Sequence, residues 1–388
     1  MLNCTSLELF DFNSDISTKI ILNLFSFKSY YQPFHKYISV ILCLLGIITN
    51  NIHIWVLSRK QMRFQSVHIV LIFIASADIG TMLSYLIYII RFEFFNDEGY
   101  EYKWTVFLHF HASISIALHG LSIYLVVFMA FIRCQVMRVK TGQSVWMLPH
   151  VALLSASVIT LTLFILSIPT YLAHEIVERV TTKDGIVKYT IIIAKNYQAN
   201  DCVAFKIYLW VTGILIKAVP CFLLMFFTLG LLKKLRKNQK KRNQLFNQTT
   251  SILFTENNVQ EKETLKECHQ LKENNKFLNR NRSSSKRQNA PDRTNKMLLL
   301  MVIIFLITEL PQGICAILNA LFTQHFHEFV YSNLADVLDL LSLINCFVAF
   351  IVYTTTCSKY RRLLLDVLKH FIPKCLLNKN RTITEEKV

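Results

Sequence analysis

Seven long apolar runs, parted by polar and basic connections, set the pattern of this chain. They fall at about 38–57, 67–90, 105–132, 147–169, 207–232, 297–322 and 333–353. Each approaches or exceeds the ~20 residues that an α-helix needs to cross a hydrocarbon layer of about 30 Å. Helices satisfy their own backbone hydrogen bonds, so apolar runs of this length predict helices in lipid. The predicted fold class is an all-α membrane protein, a seven-transmembrane helix bundle. The sixth run, MLLLMVIIFLITELPQGICAILNALF, carries Glu309 and Pro311 near its middle. An ionisable residue at that depth must face other helices or a wet cavity. A proline there bends the helix and frees backbone groups that neighbouring helices must cover. This one run therefore implies a bundle with an interior, and a place where something binds or moves.

The connections divide the chain. Residues 1–36 read as a polar extracellular tail with short apolar pieces, without a convincing cleavable signal peptide. Residues 37–232 hold spans one to five. Residues 233–296 form a long inner connection that starts as a basic helical extension, KKLRKNQKKRNQ. It then turns Asn-, Lys- and Glu-rich, which predicts disorder. Residues 297–353 hold spans six and seven, and 354–388 hold a tail. That tail opens with SKYRRLLLDVLKHF, whose basic and apolar residues at helical spacing predict a cytoplasmic interfacial helix. Between spans four and five, HEIVERVTTKDGIVKYTIII shows two alternating runs around Asp184-Gly185. That is a β-hairpin signature, with a merely ordered loop as the equal alternative.

Charge fixes the orientation. The chain is 53% hydrophobic and 17% charged, where a soluble domain carries about 25% charged residues. Its formal net charge of +17 would suit nucleic acid, but 31 of the 42 Lys and Arg lie after spans one, three, five and seven, against 10 on the other side. The positive-inside rule then predicts a multi-pass plasma-membrane protein with the N-terminus outside and the C-terminus in the cytoplasm, partnered by the lipid bilayer and not by nucleic acid. Asn3-Cys4-Thr5 is a glycosylation sequon on the outer side. Ten cysteines without paired spacing imply no zinc site and no disulfide framework. Cys43, Cys221, Cys315 and Cys346 sit in apolar runs and read as buried thiols. With no nucleophile–base constellation, metal motif or phosphate loop, no cofactor, metal or enzymatic activity is expected.

The polar residues inside the spans are the candidate chemistry. Asp78, Asn50, Ser122 and Asn345 lie at comparable depths on different spans. Converged, they would form a hydrated cluster able to hold a cation or a proton; apart, they would make separate helix–helix hydrogen bonds. Lys217 and Glu309, on adjacent spans, could pair. Asp336 and Asp339 are three apart and share a face. With Glu309 they would make the outer cavity acidic, which favours a cationic ligand. Lys217, Gln312 and His119 complete the ligand-facing set. His109, His111 and His119 read as interior hydrogen-bonding groups rather than metal ligands.

Seven spans carrying these residues resemble the rhodopsin-like G-protein-coupled receptors. Asn50 in GIITN looks like the asparagine of span one, Asp78 in ASAD like the aspartate of span two, and Arg133 in FIRC like the arginine of the D-R-Y motif. Pro220 and Pro311 look like the prolines of spans five and six, and Tyr353 in AFIVY like the tyrosine of N-P-x-x-Y. More narrowly, LITELPQG and LLSLINC resemble the nematode serpentine receptors of class W, relatives of FMRFamide-type peptide receptors. The resemblance covers roughly residues 37–372. It implies an extracellular peptide ligand, a heterotrimeric G protein as partner, and roles in activation and coupling for Arg133, Pro220, Pro311 and Tyr353.

The chain also departs from that pattern. Ile132 replaces the acid before Arg133, leaving Asp292 as a substitute partner. Glu309 stands where span six usually has tryptophan, and Ala349-Phe350 replaces N-P. The family disulfide joins span three to the second outer loop; Cys202 fits the loop half, but residues 100–115 hold no cysteine, so Cys202 is either free or paired with Cys4. A less tightly anchored hairpin follows. Two other classes remain in view: a chemosensory receptor for small molecules, and a transporter, which would show internal repeats that are not visible here. A light receptor would need a Schiff-base lysine in span seven, and residues 333–353 contain none.

Overall fold

A computed structural model describes residues 9–95, 100–138, 144–180, 187–260, 290–322 and 325–371. Among them are seven helical spans long and apolar enough to cross a membrane. The first helix, α1 (Asp15–Leu57), starts far ahead of the apolar run at 38. At 1.5 Å per residue its 43 residues reach about 65 Å, roughly twice a hydrocarbon layer. The expected polar tail is therefore helical from Asp15 onward. Lys28 Nζ donates to the Ser332 carbonyl at 3.0 Å, and Phe12 packs on Phe329, with ring centroids 5.5 Å apart. These contacts lay the start of the chain over the entrance to span seven.

Helix α2 (Ser66–Tyr88) ends in a π-helical turn, Ile89–Phe94. Helices α3 (Tyr102–Arg138) and α4 (Pro149–Leu172) follow. Strands β1 (His174–Val180) and β2 (Val187–Ile193) then pair antiparallel, His174 opposite Ile193 and Val180 opposite Val187. This is the hairpin that the alternation predicted; Asp184-Gly185 lies outside the described residues. Its anchor is not a disulfide to span three. Tyr189 donates its N–H to the Tyr100 carbonyl at 2.9 Å, and its ring meets Tyr102 edge-on at 5.2 Å. The chain just ahead of span three thus adds a backbone bridge to the hairpin. Cys202 is disulfide-bonded, which excludes the free alternative. The other described cysteines are free, so its partner lies outside the described residues, as does Cys4. Of the four buried thiols expected in the apolar runs, all are free, and Cys43, Cys221 and Cys346 are buried while Cys315 is half-buried.

Span five is built from α5 (Lys195–Trp210), a π-helical stretch Val211–Ala218, and α6 (Val219–Gln260). Pro220 lacks a backbone donor, and its ring crowds the carbonyl one turn earlier; the widened stretch ahead of it makes the room. Gly213 lies in that stretch, and a Cβ there would sit 3.1 Å from the Ala316 carbonyl oxygen, so the absent side chain lets spans five and six approach. Helix α6 runs on to Gln260, so the part of 233–296 expected to be disordered up to that residue is helical. Residues 261–289, with Ser283–Ser285, lie outside the described residues. Helix α7 (Ala290–Leu321) carries Pro311 in its interior. A π-helical turn Phe326–Tyr331 leads into α8 (Ser332–Thr356), and α9 (Ser358–Phe371) closes the described chain. A helix stands where the interfacial one was expected. Its apolar residues Tyr360, Leu363, Leu364 and Val367 turn inward and join the main core with Ile132, Met129 and Tyr353.

Candidate functional site

Polar side chains inside the bundle gather at three levels. The deepest node centres on Glu309, which is 2% exposed. His119 Nε2 lies 3.0 Å from its Oε2, and Asn345 Nδ2 donates to its Oε1 at 2.8 Å. One carboxylate therefore ties spans three, six and seven. The expected Lys217–Glu309 pair is not formed; the donors that reach Glu309 come from α3 and α8. Among the described residues Lys217 has no ion-pair partner. Gln312, one turn on from Glu309, is also engaged inward, its Nε2 donating to the Leu338 carbonyl at 3.1 Å and to Ser342 Oγ at 2.6 Å.

Beside this node, Ser122 Oγ donates to Asp78 Oδ1 at 3.0 Å, and the Cys346 thiol donates to the Ser342 carbonyl at 3.4 Å. Asn50 Nδ2 donates to the carbonyls of Gly46 and Cys346, each at 3.0 Å. Of the four residues weighed as one cluster or as separate helix–helix bonds, only Asp78 and Ser122 bond to each other. Asn345 turns to Glu309 and Asn50 to the backbone. The Oδ1 atoms of Asn50 and Asn345 are buried without a hydrogen-bond partner, so acceptor capacity remains at this level. Cys346, whose carbonyl accepts from Asn50, was missed as part of this level because a thiol in an apolar run reads as packing.

At the end of the bundle near the hairpin, Tyr85 Oη donates to Asp339 Oδ2 at 3.1 Å and lies 3.0 Å from His35 Nε2. Asp336 has a buried oxygen without a partner, within electrostatic range of His35, Glu93 and Lys28. Asp336 and Asp339 thus face α1 and α2, while Glu309 is closed off by its own partners. His35, Tyr85 and Glu93 were missed. Tyr85 carries a legible signal, since a polar ring inside an apolar span needs a partner; His35 and Glu93 sit where the sequence reads as tail and connection. Of the histidines read as interior hydrogen-bonding groups, His109 does so, its Nε2 2.8 Å from the Tyr171 carbonyl oxygen. His111 does not: it stacks on Tyr88 at 5.0 Å and its buried Nδ1 has no partner.

The opposite, basic end holds Arg133 and Tyr353. Arg133 Nε and Tyr353 Oη are both buried without hydrogen-bond partners, and the two groups lie within electrostatic range. Around them His53 Nδ1 lies 2.8 Å from Tyr360 Oη, and the Tyr353 and Tyr360 rings meet at 5.7 Å. Burial pushes the Tyr360 phenol well above its ordinary pKa, so it remains a neutral hydroxyl. The side chain of Asp292, the substitute partner for Arg133, lies outside the described side chains, and Asn3 outside the described residues. No group of three or more His, Cys, Asp or Glu placed to hold a metal occurs among the described residues.

Comparison with known proteins agrees with this arrangement. The family profile described as the serpentine type 7TM GPCR chemoreceptor Srw matches residues 37–266 and 264–370. The chain is also similar to the G-protein coupled receptor dmsr-1 of Caenorhabditis elegans, with 32% identity over 372 residues, covering 90% of this chain and 71% of that protein.

Proposed function

The chain belongs to the Srw family of serpentine seven-transmembrane G-protein-coupled receptors, and on that premise we propose that it carries the binding of a cationic extracellular peptide to a heterotrimeric G protein. The observation behind the peptide reading is the pair Asp336 and Asp339 at the hairpin end. Neither forms an ion pair with a Lys or Arg among the described residues. Asp339 is held by a tyrosine hydroxyl and Asp336 keeps an oxygen without a partner. Lys28 and Lys217 act on these carboxylates only from beyond ion-pair distance, and an arginine of an amidated peptide, such as one ending in Arg-Phe-amide, would supply a close, two-pronged donor. The ligand shifts the bundle only as far as its affinity for two arrangements differs. The bend at Pro311 lets the inner half of span six move, and Arg133 with the basic ends of spans five and six would meet the G protein.

A screen of amidated peptides on cells expressing the receptor with a promiscuous G protein tests the reading. For an active peptide, Asp339→Asn and Asp336→Asn are each expected to raise the half-maximal concentration about tenfold, as loss of a charge-assisted hydrogen bond implies. Unchanged potency in both variants would reject a peptide cation at these carboxylates. The family's description as a chemoreceptor favours a second reading, a small-molecule ligand; activation by small molecules and by no peptide would select it.

The same reading puts the N-terminus outside the cell and the basic end in the cytoplasm, where a G protein is. On intact cells an N-terminal epitope tag is expected to bind antibody, and a C-terminal tag only after permeabilisation. Staining of the C-terminal tag on intact cells would reverse the orientation and end the G-protein proposal.

A further inference from the structure

A cavity of about 420 Å³ lies at the hairpin end between α1, the π-helical turn after α2, and α3. It is apart from the Glu309 node and adjoins the Asp336–Asp339 node through Tyr88, whose ring lies 5.7 Å from that of Tyr85, and it falls within the size range of small-ligand pockets. Two opposite charges line it without pairing to each other. Among the described residues the Glu93 carboxylate accepts from neutral donors, Gln32 Nε2 and Tyr88 Oη, each at 3.3 Å. Lys36 Nζ rests over aromatic rings, 5.3 Å from the centroid of Phe94, and has no carboxylate partner among the described residues. The Tyr88 and Phe92 rings, 5.7 Å apart and within 20° of parallel, line one wall beside Glu93.

We propose that this cavity binds a zwitterion of the phosphocholine type. Its quaternary ammonium would sit against Glu93 and the Tyr88–Phe92 wall, with its phosphate on Lys36. A quaternary ammonium is weakly hydrated and is held by ring faces, and the carboxylate supplies the counter-charge. A simple cation, such as a peptide arginine, would meet repulsion from Lys36; an anion alone would meet it from Glu93. The position fits as well, because Lys36 stands two residues before the apolar run of span one, at headgroup depth. The headgroup could come from an outer-leaflet lipid or from the free ester, and the chemistry of recognition is the same. The inference does not depend on the peptide reading.

Native mass spectrometry of the full-length receptor in a maltoside detergent, with added phosphatidylcholine or phosphatidylglycerol, tests it. One phosphatidylcholine is expected to be retained about tenfold better than phosphatidylglycerol, and Glu93→Gln and Lys36→Gln are each expected to remove most of that preference. Competition by free phosphocholine would show that the headgroup suffices; retention of the lipid without such competition would place the source in the membrane. Either result upholds the site. Equal retention of the two lipids, an unchanged preference in both variants, or displacement only by cationic peptides would overturn it. Melting temperatures measured without lipid separate loss of the site from loss of the fold. Should a variant fail to fold, the headgroup preference of the unaltered receptor decides.

Discussion

Glu309→Leu is expected to make the receptor less stable and, in the fraction that folds, more active without ligand. The Glu309 carboxylate holds His119 of α3 and Asn345 of α8 at once. Interhelical hydrogen bonds inside a bilayer are worth about 1–2 kcal/mol at most, and removing one partner also strands the other. Losing both bonds while leaving a histidine and an asparagine unsatisfied should cost on the order of 3 kcal/mol. For a chain of this size that lowers the melting temperature by roughly 5 °C. Glu309→Gln keeps an acceptor and adds a donor, so its loss should be less than half as large. A double-mutant cycle with His119→Leu should show strong non-additivity, since the second change removes a group the first has already stranded. The rise in basal signalling separates this outcome from plain misfolding. The node ties spans three and seven to span six just before the Pro311 bend, so loosening it frees the part proposed to swing. A variant that melts like the parent and adds independently to His119→Leu would refute the node.

That node also shows what the sequence could and could not say. Glu309 was legible as an interior group because a carboxylate amid MVIIFLITELPQG has nowhere else to be. Its partners were not. Lys217 offered the opposite charge, but which side chains meet depends on helix rotation and crossing. The widened turn Val211–Ala218 resets the rotation of span five just where Lys217 sits. Span number, hairpin and closing helix were legible, because length, apolar content and alternation each act locally. The helical first half of α1 was not, since Lys19, Lys28 and Lys36 broke the apolar run and made it read as tail, whereas contacts with the start of span seven hold it as helix. Aspartates three apart on one helix were correctly placed on one face, but the face they turn to is set by tyrosines and histidines of α1 and α2. Polar rings in an apolar span deserve the weight that carboxylates receive.

Arg133→Ala is expected to abolish most agonist-stimulated G-protein activation while leaving surface expression and agonist binding near those of the parent. The acid that would normally hold this arginine is Ile132, which is fully buried in the main core and cannot pair. The half-buried guanidinium instead lies near the Tyr353 hydroxyl, with Arg133 Nε and Tyr353 Oη both lacking hydrogen-bond partners. Buried donors left unmatched within the chain are costly, and a partner presenting carbonyl or carboxylate oxygens at the basic end would satisfy them. Charge-assisted hydrogen bonds are worth about 1.5–3 kcal/mol each, so removing one or two should lower coupling at least tenfold. Arg133→Lys keeps the charge but loses the planar fork, and should recover only part of the signal. Tyr353→Phe should act in the same direction with a smaller effect, because it removes the hydroxyl and leaves the ring packed against Tyr360. Agonist binding is the control that separates coupling from folding. If Arg133→Ala signals as well as the parent at equal surface density, the basic end does not couple through this arginine, and the proposed contact with a G protein must be sought along the helical extension of span five.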